Sequence, residues 1–182
     1  TSGQTITVVV PQATDPNRSP SMVLDDLTEV SEFLEIGKKS SQTTGIVLPE
    51  PIRGGGQSRG DSFWVQENSV KTVHIHEYIH TRQGWGREST FEWSIEGSAD
   101  YYQGYLAWNL LDIYNKDRFY RYASTNRNEN AVLQDDDSQS TEQKNYYKGR
   151  RVLTALDIRI RKHTDGNHTL QTIFDRLNSK FG

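Results

Sequence analysis

Apolar and polar positions change their period along this chain, and each change marks an element. Thr5 to Val10 (TITVVV) is β-branched and stops at Pro11, the pattern of a buried strand. From Ser21 to Ile36, Met22, Val23, Leu24, Leu27, Val30, Phe33 and Leu34 recur at helical spacing, with Gly37 as the stop. Gly45 to Leu48 and Ser62 to Val65 read as two more short strands. Between them Arg53-Gly54-Gly55-Gly56 is backbone-permissive. It reads as a turn, or as side-chain-free backbone beside a cleft, where Gly55 and Gly56 let an extended peptide pair with a strand edge.

After these strands the helical period takes over. Asn68-Ser69 is a candidate cap for a helix from Val70 to Gln83, which Gly84-Trp85-Gly86 breaks. A second helix runs from Phe91 to Tyr114, with Tyr101, Tyr105, Leu106, Trp108, Leu110 and Leu111 as expected core. Asp117 to Ala123 is a short helix and Asn126 to Lys144 a polar loop. Val152 to Arg161 follows with Leu153, Leu156 and Ile160 inward, and Thr169 to Leu177 is the last helix. The order predicts an α+β domain: a small N-terminal mixed sheet with one helix (1–67), then a mainly helical half (68–182).

Composition narrows the function. At 182 residues the chain is one domain's length. A net charge of −3 with interspersed signs carries no basic field for nucleic acid, and no run of apolar residues is long enough for a membrane span. The absence of cysteine excludes disulfides and thiolate metal ligands. Asp135-Asp136-Asp137 lacks the alternating ligands of a calcium loop and reads as a solvated charge run. Thr1-Ser2-Gly3-Gln4 has no Met and no signal-like segment, so the chain reads as excised from a longer multidomain protein, with a secreted or cell-envelope location expected ahead of a cytoplasmic one.

The chemistry is concentrated in His76-Glu77-Tyr78-Ile79-His80 and, fifteen residues on, Glu96-Gly97-Ser98-Ala99-Asp100. Residues four apart share a helical face, so His76 and His80 can offer two imidazole nitrogens to one Zn2+ ion. Glu77, one residue round the helix, is placed to take a proton from a water on that ion. Glu96 from a second helix is the third ligand, which leaves an open position suited to catalysis. Asp100, in phase with Glu96, is the expected acceptor for the remaining N–H of a ligand histidine. Two amphipathic helices with solvated His and Glu are the alternative, against which the small Gly97-Ser98-Ala99 run, suited to close helix approach, counts. His74 reads as a packing or surface residue, and His163 and His168 as turn residues.

Three stretches resemble the glycyl aminopeptidase family of zinc peptidases, gluzincins related to thermolysin and to the alanyl-type aminopeptidases. VHIHEYIHTRQ looks like that family's metal helix, WSIEGSADYY like its third-ligand helix, and NYYKGRRVLTALDIRIRKHTDGNHTLQTIFDRL like its Tyr-Tyr, Lys-Gly and leucine-helix segment. The resemblance implies a thermolysin-like zincin catalytic domain with His76, His80 and Glu96 on zinc, Glu77 as general base and Tyr146 as transition-state stabiliser. It departs where the family has Gly-Gly-Leu-Glu-His, because Gly55-Gly56 is followed here by Gln57-Ser58-Arg59. The carboxylate that would meet a substrate's amino terminus is replaced by Ser58, with Glu50 and Glu67 as candidate substitutes. The expected function is a zinc-dependent peptidase acting on peptide or protein. A zinc-retaining peptide-binding module and a metal cross-linked structural domain are the alternatives, and both leave Glu77 without a purpose.

Overall fold

Ser19 accepts a hydrogen bond from the Met22 amide at 3.3 Å and Pro20 follows it, so the first helix begins with a side-chain cap and a preset φ. This is α1 (Pro20–Phe33), which buries Val23, Leu27 and Val30. It ends before the expected Ile36 because Leu34 turns to an extended conformation, while Leu34 and Ile36 stay buried. The apolar pattern outlasts the helix because packing, not helical continuity, holds those two side chains. The computed structural model describes residues 3–37, 40–52, 54–85, 92–134 and 141–181. Arg53, the Asp135 to Asp137 run and the expected helix start at Phe91 lie outside them.

The strands are β1 (Thr5–Val9), β2 (Gln42–Leu48), β3 (Gly56–Arg59) and β4 (Ser62–Gln66), in the order β1-β2-β4-β3. β1 and β4 pair parallel to β2, whereas β3 pairs antiparallel to β4 with Gly56 opposite Val65. The sheet is therefore mixed, as expected. β3 is a correction: its GQSR sequence has no strand signature, and only pairing with β4 makes it one.

The helix that carries the HEYIH segment, α2, spans Val73–Arg82 and begins three residues later than expected. Asn68 and Ser69 do not cap it: Asn68 donates to Glu50 and the Ser69 hydroxyl to the Gly55 carbonyl, both within the preceding turn. α2 is buried on nearly every side, with Ile75, Tyr78 and Ile79 fully enclosed. α3 (Glu92–Asn109) buries Tyr101, Tyr102 and Leu106, and ends five residues short of the expected Tyr114. Trp108 stacks on Phe119 of α4 (Lys116–Ala123) with ring centroids 4.8 Å apart.

The expected polar loop closes with a short helix, α5 (Thr141–Lys144), which runs into a π-turn over Asn145–Gly149 and then α6 (Arg150–His163). α6 corrects one core assignment, since Leu153 is buried but Leu156 is 39% exposed. Asp157 goes inward instead, accepting from the Tyr101 hydroxyl, Arg161 and the Leu170 amide at 2.6–2.7 Å. A buried carboxylate is tolerated when it is this fully bonded. α7 (Leu170–Phe181) buries Leu170 and Phe174 against the same core, with Trp85 stacked on Phe174. Among the described residues no helix is long and apolar enough to cross a membrane.

Candidate metal centre

α2 and α3 bring His76, His80 and Glu96 together, with one ligand atom from each within 4.8 Å of the others. His76 Nε2 lies 3.1 Å from His80 Nε2, and Glu96 Oε2 lies 3.3 and 3.4 Å from the two nitrogens. A tetrahedral ion with bonds of about 2.0–2.2 Å has ligand–ligand edges about 1.6 times longer, or roughly 3.3–3.6 Å. The triangle matches one face of such a tetrahedron. Glu96 Oε2 is moreover buried without a hydrogen-bond partner, which is costly for a carboxylate oxygen unless a cation meets it. Burial opposes ionisation of Glu96, but the neighbouring imidazoles overcome it and hold the carboxyl well below its usual range. For His80, burial favours the neutral ring, and Glu96 reverses this to a net upward shift. The donor set fits zinc: two neutral-capable imidazoles and one carboxylate.

Each imidazole has something behind it. His80 Nδ1 is 2.7 Å from Gln83 Oε1, and the Gln83 amide nitrogen donates to the Ile95 carbonyl and the Ser98 hydroxyl on α3. Gln83 was not anticipated, although its position just past the helix end, three residues from His80, was a usable signal. Behind His76, Asp100 Oδ1 stands 4.0 Å from Nδ1. That is the expected side of the ring, but beyond hydrogen-bond length. The Asp100 oxygens are engaged by Tyr122, whose hydroxyl donates to Oδ1, and by Arg150, whose Nη1 donates to Oδ2. Burial still drives the Asp100 carboxyl upward, with Arg150 and His76 opposing.

His80 and Glu96 face a cleft of about 480 Å³, whose lining also includes Glu77, Tyr146, Trp64 and the β3 residues Gly56, Gln57 and Ser58. Burial raises the Glu77 carboxyl above its ordinary value, opposed by His76 and His80. Gly56 has to be glycine, because a Cβ there would sit 2.7 Å from Glu77 Oε1 and 2.8 Å from the Trp64 carbonyl. Gly55 does not line the cleft, and its carbonyl is committed to the Gln66 amide and the Ser69 hydroxyl. The Tyr146 ring stacks on His76, with centroids 5.5 Å apart and planes 26° from parallel. Glu50 and Glu67 do not line the cleft either: Glu67 accepts from the Asp15 and Glu50 amides, and Glu50 from Asn68. His74, on α2, is buried 2.8 Å from Asp26, which also pairs with Arg18 through two bonds. His163 and His168 are exposed and away from the cleft.

Neither the protein-family models nor the curated proteins contain a match to this chain. Solved structures do match. An aminopeptidase N family protein from Idiomarina loihiensis superposes with a TM-score of 0.72 at 16% identity, over 96% of this chain and 39% of that one. A mutant M1 zinc metallopeptidase from Deinococcus radiodurans, bound to a Tyr-Ser-Ala substrate, gives 0.68 at 15% identity over 94% and 39%. A two-domain M1 zinc metallopeptidase bound to L-arginine gives 0.69 at 13% identity over 96% and 40%. The fold is therefore that of the aminopeptidase N type of zinc metallopeptidase, with its small mixed sheet and helical remainder. The chain spans about 39% of the length of these structures.

Proposed function

We propose that this chain is the catalytic part of a zinc-dependent metallopeptidase, with His76, His80 and Glu96 as ligands and Glu77 as general base. The supporting observation is the ligand triangle of 3.1–3.4 Å opening on the same cleft as Glu77. When bound, zinc supplies a water that ionises near neutral pH and a positive charge toward the scissile carbonyl. Glu77 takes the proton of the attacking water and passes it to the leaving amine nitrogen. Its burial suits this task, since a carboxylate with a raised pKa is a stronger base. The Tyr146 hydroxyl donates to the oxyanion that develops on the carbonyl oxygen, and removing a donor of this kind costs about 3 kcal/mol. β3 is the outer strand of the sheet on the cleft side, and its backbone from Gly56 holds the substrate extended.

Glu77→Gln tests the reading. The zinc-loaded variant is expected to keep one metal per chain and its fold while losing cleavage of an unstructured protein, because an amide cannot accept the water's proton. Undiminished cleavage refutes Glu77 as the base. A parent chain that binds zinc and peptide but cleaves nothing makes it a peptide-binding module instead.

A further inference from the structure

We propose that Arg150 is a positioning residue that ties the ligand set to Tyr146. This rests on the zinc-peptidase reading and extends it to a residue 54 places after the last ligand. Arg150 is buried at the junction of the π-turn and α6, and works in two directions. Its backbone N–H donates to the carbonyls of Tyr146 and Tyr147, so it closes the turn that carries Tyr146. Its side chain donates to Asp100 Oδ2 on the third-ligand helix. The guanidinium carbon also lies over the ring of Tyr122, 3.7 Å from its centroid, and Tyr122 donates to the other oxygen of the same carboxylate.

The His76 ring is bracketed as a result. Tyr146 stacks on its face and Asp100 stands behind its Nδ1, and both supports meet at Arg150. The backbones close the frame, because a Cβ added to Gly97, next to ligand Glu96, would come within 2.9 Å of Gly149 Cα. At Gly97 and Gly149 no side chain fits between α3 and the π-turn, so the two pack backbone to backbone. A guanidinium suits this place better than an ammonium, since its planar fork bonds a carboxylate edge-on while its face packs on an aromatic ring. Without it Asp100 is a buried charge lacking its cation, and the π-turn loses its side-chain tie to the metal helices. A π-turn is a common device at functional sites, and here it lets Tyr146 and Arg150 serve the same histidine.

The test uses the whole chain with zinc itself as the probe, in competition against a chromophoric chelator, alongside kcat and KM on a peptide. Arg150→Met is expected to weaken zinc binding about 10–100-fold, as for loss of a partner behind a ligand, and to lower kcat with little change in KM. Arg150→Lys is expected to recover most of the zinc affinity, because an ammonium also pairs with Asp100. Asp100→Asn added to Arg150→Met is expected to weaken zinc no further, whereas independent residues give effects that multiply to within about twofold. A merely structural arginine lowers the melting temperature but leaves zinc affinity and the double variant independent, which overturns the proposal. If Arg150→Met fails to fold, Tyr122→Phe keeps the ring and removes only the hydroxyl on Asp100. Non-additivity of that variant with Asp100→Asn supports the clamp, and additivity overturns it. A parent chain that takes up no zinc overturns the underlying reading as well, whereas a zinc-binding, active parent with indifferent Arg150 variants overturns this inference alone.

Discussion

Gly56→Ala is the sharpest single perturbation of this site, because one methyl group meets Glu77, the proposed general base. The added Cβ falls 2.7 Å from Glu77 Oε1, 2.8 Å from Glu77 Cγ and 2.8 Å from the Trp64 carbonyl, against ordinary contact from 3.4 Å. Two of these atoms belong to Glu77 and the third to the backbone of β4. Relief needs Glu77 or the strand to give by about 0.7 Å. Overpacking by one methyl costs roughly 1–3 kcal/mol, and a misplacement of about 1 Å at a reacting group costs on the order of 100-fold in rate. Gly56→Ala is therefore expected to lower kcat/KM by about 10–100-fold while keeping one zinc per chain. The control is its neighbour. An alanine at Gly55 meets only Val73 Cγ2 at 3.8 Å, so Gly55→Ala leaves activity within about twofold. Both are read by initial rates at matched zinc content and by thermal melts. A fully active Gly56→Ala protein refutes the packing of β3 on Glu77.

Other expectations follow from the same geometry. His76→Ala and Glu96→Ala each remove one corner of the ligand triangle, so metal analysis at micromolar zinc is expected to find neither holding a full equivalent; a full equivalent in either refutes the assignment. Among the described residues the carboxylates lining the cleft are Glu77 and Glu96, and Ser58 stands where the resemblance implies a carboxylate, so an acetylated peptide is expected to be cut as well as the same peptide with a free amino terminus. Mass spectrometry showing removal of single residues from the free peptide only refutes this. Burial lowers the His74 pKa below 6.5 despite the opposing pull of Asp26, so the unfolded chain takes up that proton first. The contribution of His74 to stability is then full above about pH 6.5 and falls as pH drops below it. In the chelator-treated chain His74→Gln is expected to flatten the fall in urea midpoint between about pH 7.5 and 5.5, and an unchanged slope sinks the idea.

Local spacing was sufficient wherever the cause of a feature lies within one segment. His76 and His80 share a face because a helix repeats every 3.6 residues, and this holds whatever surrounds α2. The amphipathic runs of α1 and α7 were legible for the same reason, as was the phase of Glu96 with Asp100. Features that depend on a partner far along the chain were not. β3 is a strand only because β4 offers it hydrogen bonds, and the choice between turn and cleft backbone at Gly56 is open until Glu77 is seen against it. Leu156 and Asp157 are adjacent, yet the leucine is exposed and the acid buried, because Tyr101, Arg161 and the Leu170 amide converge on the acid. Arg150 meets Asp100 across 50 residues, and Tyr122 meets the same carboxylate across 22. Helical periodicity is a property of the chain and can be read along it. The choice of which buried charge meets which partner is made by the energy of leaving either one alone, and that depends on positions that only the tertiary structure sets.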